Sequence, residues 1–266
     1  MKHLILNADD FAFNAAVSRG IIHLARQGRL TATSAMTLSP RWAADAAALT
    51  ECRGQIDVGL HLDWTSPFAV DAGHGRGLKR AMLSAVTGGF NKTAAREVIE
   101  RQLDAFEQVW QAPPSHIDGH QHVHQFKGIR EALVEVMAKR YPDKKPYLRV
   151  SETTAGAVDL KSKIIASLGA ETIKNIATQA MITPATGLFG IYNFTGGVVQ
   201  YATRMQNWLA IAPPNAIIMC HPAQGLTDAG DAADGIAAAR LWEFEYLASE
   251  AFGQDLVRAE VSLSPA

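Results

Sequence analysis

The sequence predicts an α/β protein with a mostly parallel sheet, on three observations. Short apolar runs alternate along the chain with longer stretches of helical period, which is the signature of strand–helix–strand units. Polar clusters recur at the ends of those runs: Asp9 and Asp10, His61, His116 to His124, Arg149, and His221. Open α/β sheets and barrels build their sites at the carboxyl ends of strands. The length of 266 residues, 48% of them hydrophobic, suits one barrel or one large α/β domain with a full core.

The elements follow in order. Residues 3–7 (HLILN) form a short apolar run and predict a buried first strand. Val17, Ile21, Leu24 and Ala25 are spaced for a helix over 15–27, with Gly28 as its stop. The Thr-rich stretch 31–38 favours a strand, and 42–50 a short Ala-rich helix. Over 56–62 the alternation is strict: Ile56, Val58, Leu60 and Leu62 share one face, Asp57, Gly59 and His61 the other. Residues 66–92 are rich in glycine and small or polar residues without a period, so a long excursion is expected there. Val98, Ile99, Leu103, Phe106 and Val109 mark an amphipathic helix over 93–111, ended by Pro113 and Pro114. A strand is expected at 115–119, a helix at 128–140, and a strand at 146–151. A second excursion, near 155–200, holds helical pattern over 158–182 and a loop or short strand over 188–197. Residues 215–221 (NAIIMCH) predict a buried strand and 236–251 a late helix. No repeat or low-complexity linker divides the chain, so residues 1–266 read as a single domain.

A net charge of -1 offers no electrostatic case for nucleic acid or an anionic membrane surface. No apolar run reaches the length of a membrane span, and the N-terminal run meets paired aspartates too early for a signal peptide. Cys52 and Cys220 are too few for a disulfide framework. A cytoplasmic protein is expected, with the oligomeric state open and a homodimer compatible. There is no glycine-rich phosphate loop, no G-x-S-x-G elbow and no C-x-x-C pair.

The clusters carry the chemistry. Adjacent Asp9 and Asp10 after a buried strand are costly unless something compensates them. One can ligate a cation while its neighbour takes a proton, although a helix N-cap beside a solvated acid is an ordinary alternative. His61 alone could be a hydrogen-bonded structural histidine, with Asp63 placed to orient it or another group. In SHIDGHQHVH, His116, Asp118, His120, His122 and His124 recur at every second residue. Crowded imidazoles suggest metal ligation, but a catalytic site takes about three ligands, so not all can bind. His221 ends a buried strand with Pro222 stopping the ladder. Arg149, inside a short strand, needs a partner such as a site carboxylate, or else an edge position open to solvent. Cys220 and His221 would face opposite ways, which argues against a Cys–His nucleophile. Trp64, Trp110, Trp208 and Trp242 could stack on sugars but are spaced as core residues.

In this order, NADDF, VGLHL, HIDGHQHVH and MCHP resemble the motifs of the YdjC-like carbohydrate deacetylases, a family that includes chitooligosaccharide deacetylase and a hopanoid-biosynthesis-associated deacetylase. The motifs span residues 7 to 222. The resemblance implies a distorted (β/α) barrel like that of polysaccharide deacetylases, as a single catalytic domain. It implies removal of an N-acetyl group from an amino sugar with one divalent metal ion, zinc or magnesium. Carried over, Asp10, His61 and His120 are metal ligands, Asp9 the catalytic base, and His221 the general acid. His124 lines the substrate end, where Arg149 and Asp63 are also expected. The family usually reads DDFG, and here Ala12 replaces that glycine. Two imidazoles favour zinc over magnesium, which prefers oxygen ligands. Another metal-assisted hydrolysis, such as phosphoester cleavage, would want a second metal or more basic residues. A non-catalytic carbohydrate-binding protein would leave Asp9 without a task.

Overall fold

The computed structural model describes residues 1–152, 160–185, 187–228 and 233–265, with only the backbone for 160–162. Its elements are β1 (Lys2–Phe11), α1 (Ala15–Arg26), β2 (Ala32–Ala35), α2 (Trp42–Leu49), β3 (Asp57–Leu62), α3 (Pro67–Asp71), α4 (Leu78–Thr87) and α5 (Lys92–Trp110). There follow β4 (His116–Gly119), α6 (Ile129–Arg140), β5 (Tyr147–Arg149), α7 (Leu160–Ser167), α8 (Ala170–Gln179), β6 (Pro184–Ala185) and β7 (Leu188–Phe189). The last are α9 (Val198–Ile211), β8 (Ile217–Cys220), α10 (Ala237–Leu247), α11 (Glu250–Arg258) and β9 (Val261–Leu263). Of the second excursion, residues 155–159 and 186 lie outside the described residues.

Every ladder is parallel, in the order β6-β5-β4-β3-β2-β1-β8-β7, and β9 pairs the first residues of β1. The strands curl into a half-barrel, and among the described residues no ladder joins β6 to β7. Helices return the chain between strands, as parallel pairing requires.

The period of two splits each strand between two environments. Leu4, Leu6 and Ala8 of β1, and Ile218 and Cys220 of β8, pack outward into the large core beneath the helices. The alternate positions point inward. At one end of the barrel Ile5, Ala32, Leu188, Ile217 and Met219 form a small apolar plug. Above it the inward positions turn polar: Asn7, Asp9, Ser34, His61, His116, Asp118 and Arg149, all buried. The sequence therefore places a dry floor under a polar layer at the carboxyl ends of the strands.

Two features of the backbone prepare that layer. The β1–β2 register shifts between Ala8 and Phe11, and Asp10 sits at φ 68 and Ala12 at φ 71. Adjacent residues of a regular strand face opposite ways; this bulge turns both Asp9 and Asp10 toward the interior. At Gly59, opposite Ser34 in the ladder, a Cβ would lie 2.3 Å from Nε2 of His116. Glycine here makes room for the buried imidazole.

Some elements differ from expectation. The 66–92 excursion contains α3 and α4; Ser66 caps α3 and Pro67 opens it. The 158–182 pattern is two helices broken at Gly169 (φ 132), and the late helix is two, parted where Ser249 caps α11. Helix α9, within and beyond the second excursion, was not foreseen, nor were β6 and β9.

Candidate active site

The polar layer opens into a cavity of about 930 Å³. Asp9, Asp10, His61, His120 and His221 all line it, brought from the ends of β1, β3, β4 and β8. Asp10, His61 and His120 each offer a ligand atom, and these atoms lie within 4.8 Å of one another. Oδ1 of Asp10 stands 2.9 Å from Nδ1 of His120 and 3.3 Å from Nε2 of His61. One carboxylate oxygen and two imidazole nitrogens in a buried cleft fit a divalent ion of the zinc type.

The surroundings fix those groups. Nδ1 of His61 donates to Oδ1 of Asp118, its ladder neighbour on β4, at 2.6 Å, which turns Nε2 toward Asp10. A carboxylate behind an imidazole is the usual support of a metal-binding histidine. Asp118 also accepts from Ser34 Oγ at 2.6 Å and lies 3.0 Å from Arg149 Nη1. The other oxygen of Asp10 accepts from Arg240 Nη2 at 2.7 Å. Burial alone would raise the Asp10 pKa, but Arg240 and the two imidazoles hold its carboxyl well below the usual range. Burial opposes charge on His61, yet Asp118 and Asp10 outweigh it and push this pKa up to about 10. Without a cation, the site is a set of tightly paired charges.

Asp9 is held on both oxygens by Arg149 Nη1 and Nη2, each at 2.7 Å, and Asn7 Nδ2 donates to its Oδ1 at 2.7 Å. The carboxylate is fully oriented and still faces the cavity. His221 lines the same cavity, against Phe194 at 5.1 Å between ring centroids. Its backbone N–H donates to Glu243 Oε2 at 2.5 Å, and its Nδ1 is 3.9 Å from Glu243 Oε1, which accepts from Tyr192 at 2.6 Å. Burial keeps His221 low, at about 4, and pushes Glu243 up to about 7.

Three expected substrate-side residues do not line the cavity. After β4 the chain passes into a 3-10 turn, His120–Gln125, with Gln121 and His122 at φ 53 and φ 61. That turn carries His124 beneath the site, where its buried Nε2 donates to the Arg149 carbonyl at 2.9 Å. The Arg149 side chain is buried inside the barrel, its two terminal nitrogens held by Asp9 and Asp118. Asp63 accepts from Thr65 N at 2.9 Å, Ser66 N at 3.0 Å and Ser66 Oγ, so it ties down the start of α3 rather than orienting His61. Trp64, Trp110 and Trp208 are core residues. Sequence reasoning missed Arg240 and Glu243. They lie three apart on α10, and the one available signal was a charge pair repeating within an otherwise small and apolar helix start.

A profile of YdjC-like proteins matches residues 3–258. The chain belongs to this family. Among curated relatives of this YdjC-like protein, the chitooligosaccharide deacetylase of Serratia marcescens is 33% identical over 145 residues, covering 52% of the chain and 56% of the relative. The chitooligosaccharide deacetylase of Yersinia enterocolitica is 29% identical over 268 residues, covering 96% and 94%. The chain thus spans about half the length of the first relatives it matches, and nearly all of the Yersinia one. Among solved structures, a protein of Enterococcus faecalis V583 provisionally named for cellobiose-phosphate cleavage superposes with TM-score 0.75 at 21% identity, covering 99% and 97%. A peptidoglycan N-acetylglucosamine deacetylase superposes with TM-score 0.51 at 10% identity, covering 99% and 85%. These likenesses give this YdjC-like protein the (β/α) barrel fold of polysaccharide deacetylases.

Proposed function

We propose that the protein is a metal-dependent hydrolase that removes the N-acetyl group of an amino sugar. The carrying observation is one cavity in which Asp10, His61 and His120 converge and which Asp9 and His221 also line. The deacetylase names of its relatives agree with this chemistry. A divalent ion held by Asp10, His61 and His120, zinc by the donor set, would polarise the amide carbonyl and lower the pKa of water. Asp9, oriented by Arg149 and Asn7, would accept the proton of the attacking water. His221 would deliver a proton to the departing amine; burial holds its pKa at about 4, so near neutrality it must first take that proton up within the site, from the one that the attacking water gives to Asp9. Glu243, whose Oε2 accepts the His221 backbone N–H, fixes the position of that residue, and burial pushes its own pKa up to about 7.

The phosphoester reading is not favoured. The other set of nearby donors, Asp9, His61 and Asp118, is occupied by the Arg149 guanidinium, which repels a second cation. A single core running from Leu4 to Val261 supports one catalytic domain. No described helix is long and apolar enough to cross a membrane, and two buried free thiols, Cys52 and Cys220, suit a reducing compartment such as the cytoplasm.

The test is acetate release over a panel of N-acetylated sugars, with metal-loaded and chelator-treated protein, beside Asp9→Asn and Asp10→Asn. Asp9→Asn is expected to keep its metal and to lower turnover by about 10²–10⁴-fold. Asp10→Asn is expected to lose metal and activity together. Full turnover by Asp9→Asn would remove Asp9 as the base, and metal content untouched in Asp10→Asn would remove the ligand set.

A further inference from the structure

We infer that the substrate carries a hydrocarbon group beside its amide, and that an apolar wall of the cavity receives it. This rests on the deacetylase reading above. Six residues make the wall: Leu78 and Met82 of α4, Phe126, and Ile164, Ile165 and Leu168 at α7. None can hydrogen-bond a sugar hydroxyl through its side chain. The polar lining includes the carboxylates and imidazoles with Thr65, Ser66, Gln121, Asn193, Arg204 and Asp234. The wall is held in place: Phe126 stacks on Phe90 at 6.4 Å, Met82 and Leu168 pack against the main core, and Gln125 Nε2 donates to the Ile165 carbonyl at 2.6 Å.

The same two helices also carry exposed apolar side chains. Leu83 and Val86 on α4 are 60% and 69% exposed, and Ile164 on α7 is 43% exposed. A free oligosaccharide offers only small C–H faces among its hydroxyls and would leave most of this surface wet. An amphiphilic amide, with its amide at Asp10, His61 and His120 and its hydrocarbon against α4 and α7, covers it. The hydrocarbon could sit on the acyl side or on the glycosidic side; the surface reads either in the same way.

Four compounds separate the cases: N-acetylglucosamine, its β-linked dimer, hexyl N-acetyl-β-glucosaminide, and N-hexanoylglucosamine. Release of free amine is measured for each, and binding to the Asp9→Asn protein by calorimetry. Each buried methylene is worth about fourfold in affinity, so three buried methylenes give one hexyl compound an advantage of about 50-fold over N-acetylglucosamine. Preference for the glycoside places the hydrocarbon on the sugar's leaving side, and preference for the amide places it on the acyl side. The double variant Met82→Gln, Leu168→Gln, both half-buried positions, should remove that advantage, read as the ratio of each hexyl compound to N-acetylglucosamine on the same folded protein. If neither hexyl compound gains more than twofold, or if the double variant lowers all four alike, the inference is overturned. If no compound is hydrolysed but a hexyl compound still binds with its advantage, the deacetylase reading fails and the apolar site stands.

Discussion

Arg149 shows how the site is charged from within. Its guanidinium is buried and clasps Asp9 while touching Asp118. Replacing it with Met would leave two carboxylates buried beside each other without a cation. Removing one partner of a buried pair costs about 3–5 kcal/mol, so Arg149→Met is expected to lower the urea midpoint sharply, and an unchanged midpoint would show the carboxylates to be otherwise compensated. His61 supplies a second outcome. Its pKa, pushed up to about 10, means that the metal-free ring is protonated at pH 8, whereas ligation needs it neutral. Metal loading at pH 8 is therefore expected to release about one proton per ion, read by calorimetry in buffers of different ionisation enthalpy; heats independent of buffer would argue against His61 as a ligand. His124 gives the pH dependence. Burial lowers its pKa to about 4, so the fold favours the neutral ring. The stability this contributes is present above the ordinary value near 6.5 and lost as pH falls through 4. Melting of His124→Gln should fall less steeply between pH 6.5 and 4 than that of the native chain. At this scale the carboxylates and imidazoles of the cavity were legible because each ends an apolar run. Roles were less legible than positions. His124 and Asp63 follow turns whose direction no strand period encodes, and Arg240 and Glu243 reach the site from a helix 230 residues away from Asp10.

The bulge in β1 is the element on which the site depends. A strict strand would have sent Asp10 into the outer core with Ala8. Instead the chain takes left-handed geometry at Asp10 and again at Ala12, whose carbonyl accepts from Ser39 Oγ at 2.6 Å and whose N–H donates to Ser18 Oγ at 3.1 Å. The family's glycine at position 12 now has a physical reason: a residue with a Cβ spends about 1–2 kcal/mol in this region. Ala12→Gly is expected to stabilise the protein by about 1 kcal/mol in chemical denaturation, and a destabilised variant would mean that the methyl's burial outweighs the strain. Gly59→Ala should do the reverse, because the new methyl meets the His116 ring at 2.3 Å. Overpacking of this kind costs about 1–3 kcal/mol. Most strands and helices were legible from period alone. Strands β6 and β9 were not, since two or three residues hold too little alternation; β7 lay in a stretch read as a loop or short strand, and α9 was masked by the glycines and aromatics before it.

For the whole molecule, alternating strands and helices announced the parallel sheet, while its curl depends on long-range pairing that local pattern does not encode. Binding to the folded state alone should couple the cation to global stability. At an ion concentration about 100 times Kd the gain is about 2.7 kcal/mol. A melt followed by circular dichroism should therefore shift upward on adding zinc to chelator-treated protein and return with chelator. His61→Ala should abolish the shift, and a shift that survived in that variant would place the ion elsewhere.

Strand β1 lies between partners from opposite ends of the chain: β2 follows it at once, whereas β8 and β9 are made last. On the ribosome, the aspartates of β1 emerge early and wait for Arg240 until 230 further residues have been joined. Until then the inner edge of β1 is open, with Ile5 uncovered and Asp10 lacking its guanidinium. Such non-local closure makes folding slow and leaves the nascent chain in need of shielding. Translation halted before β8 would thus yield a chain that carries Asp9, Asp10, His61 and His120 and yet has no completed site.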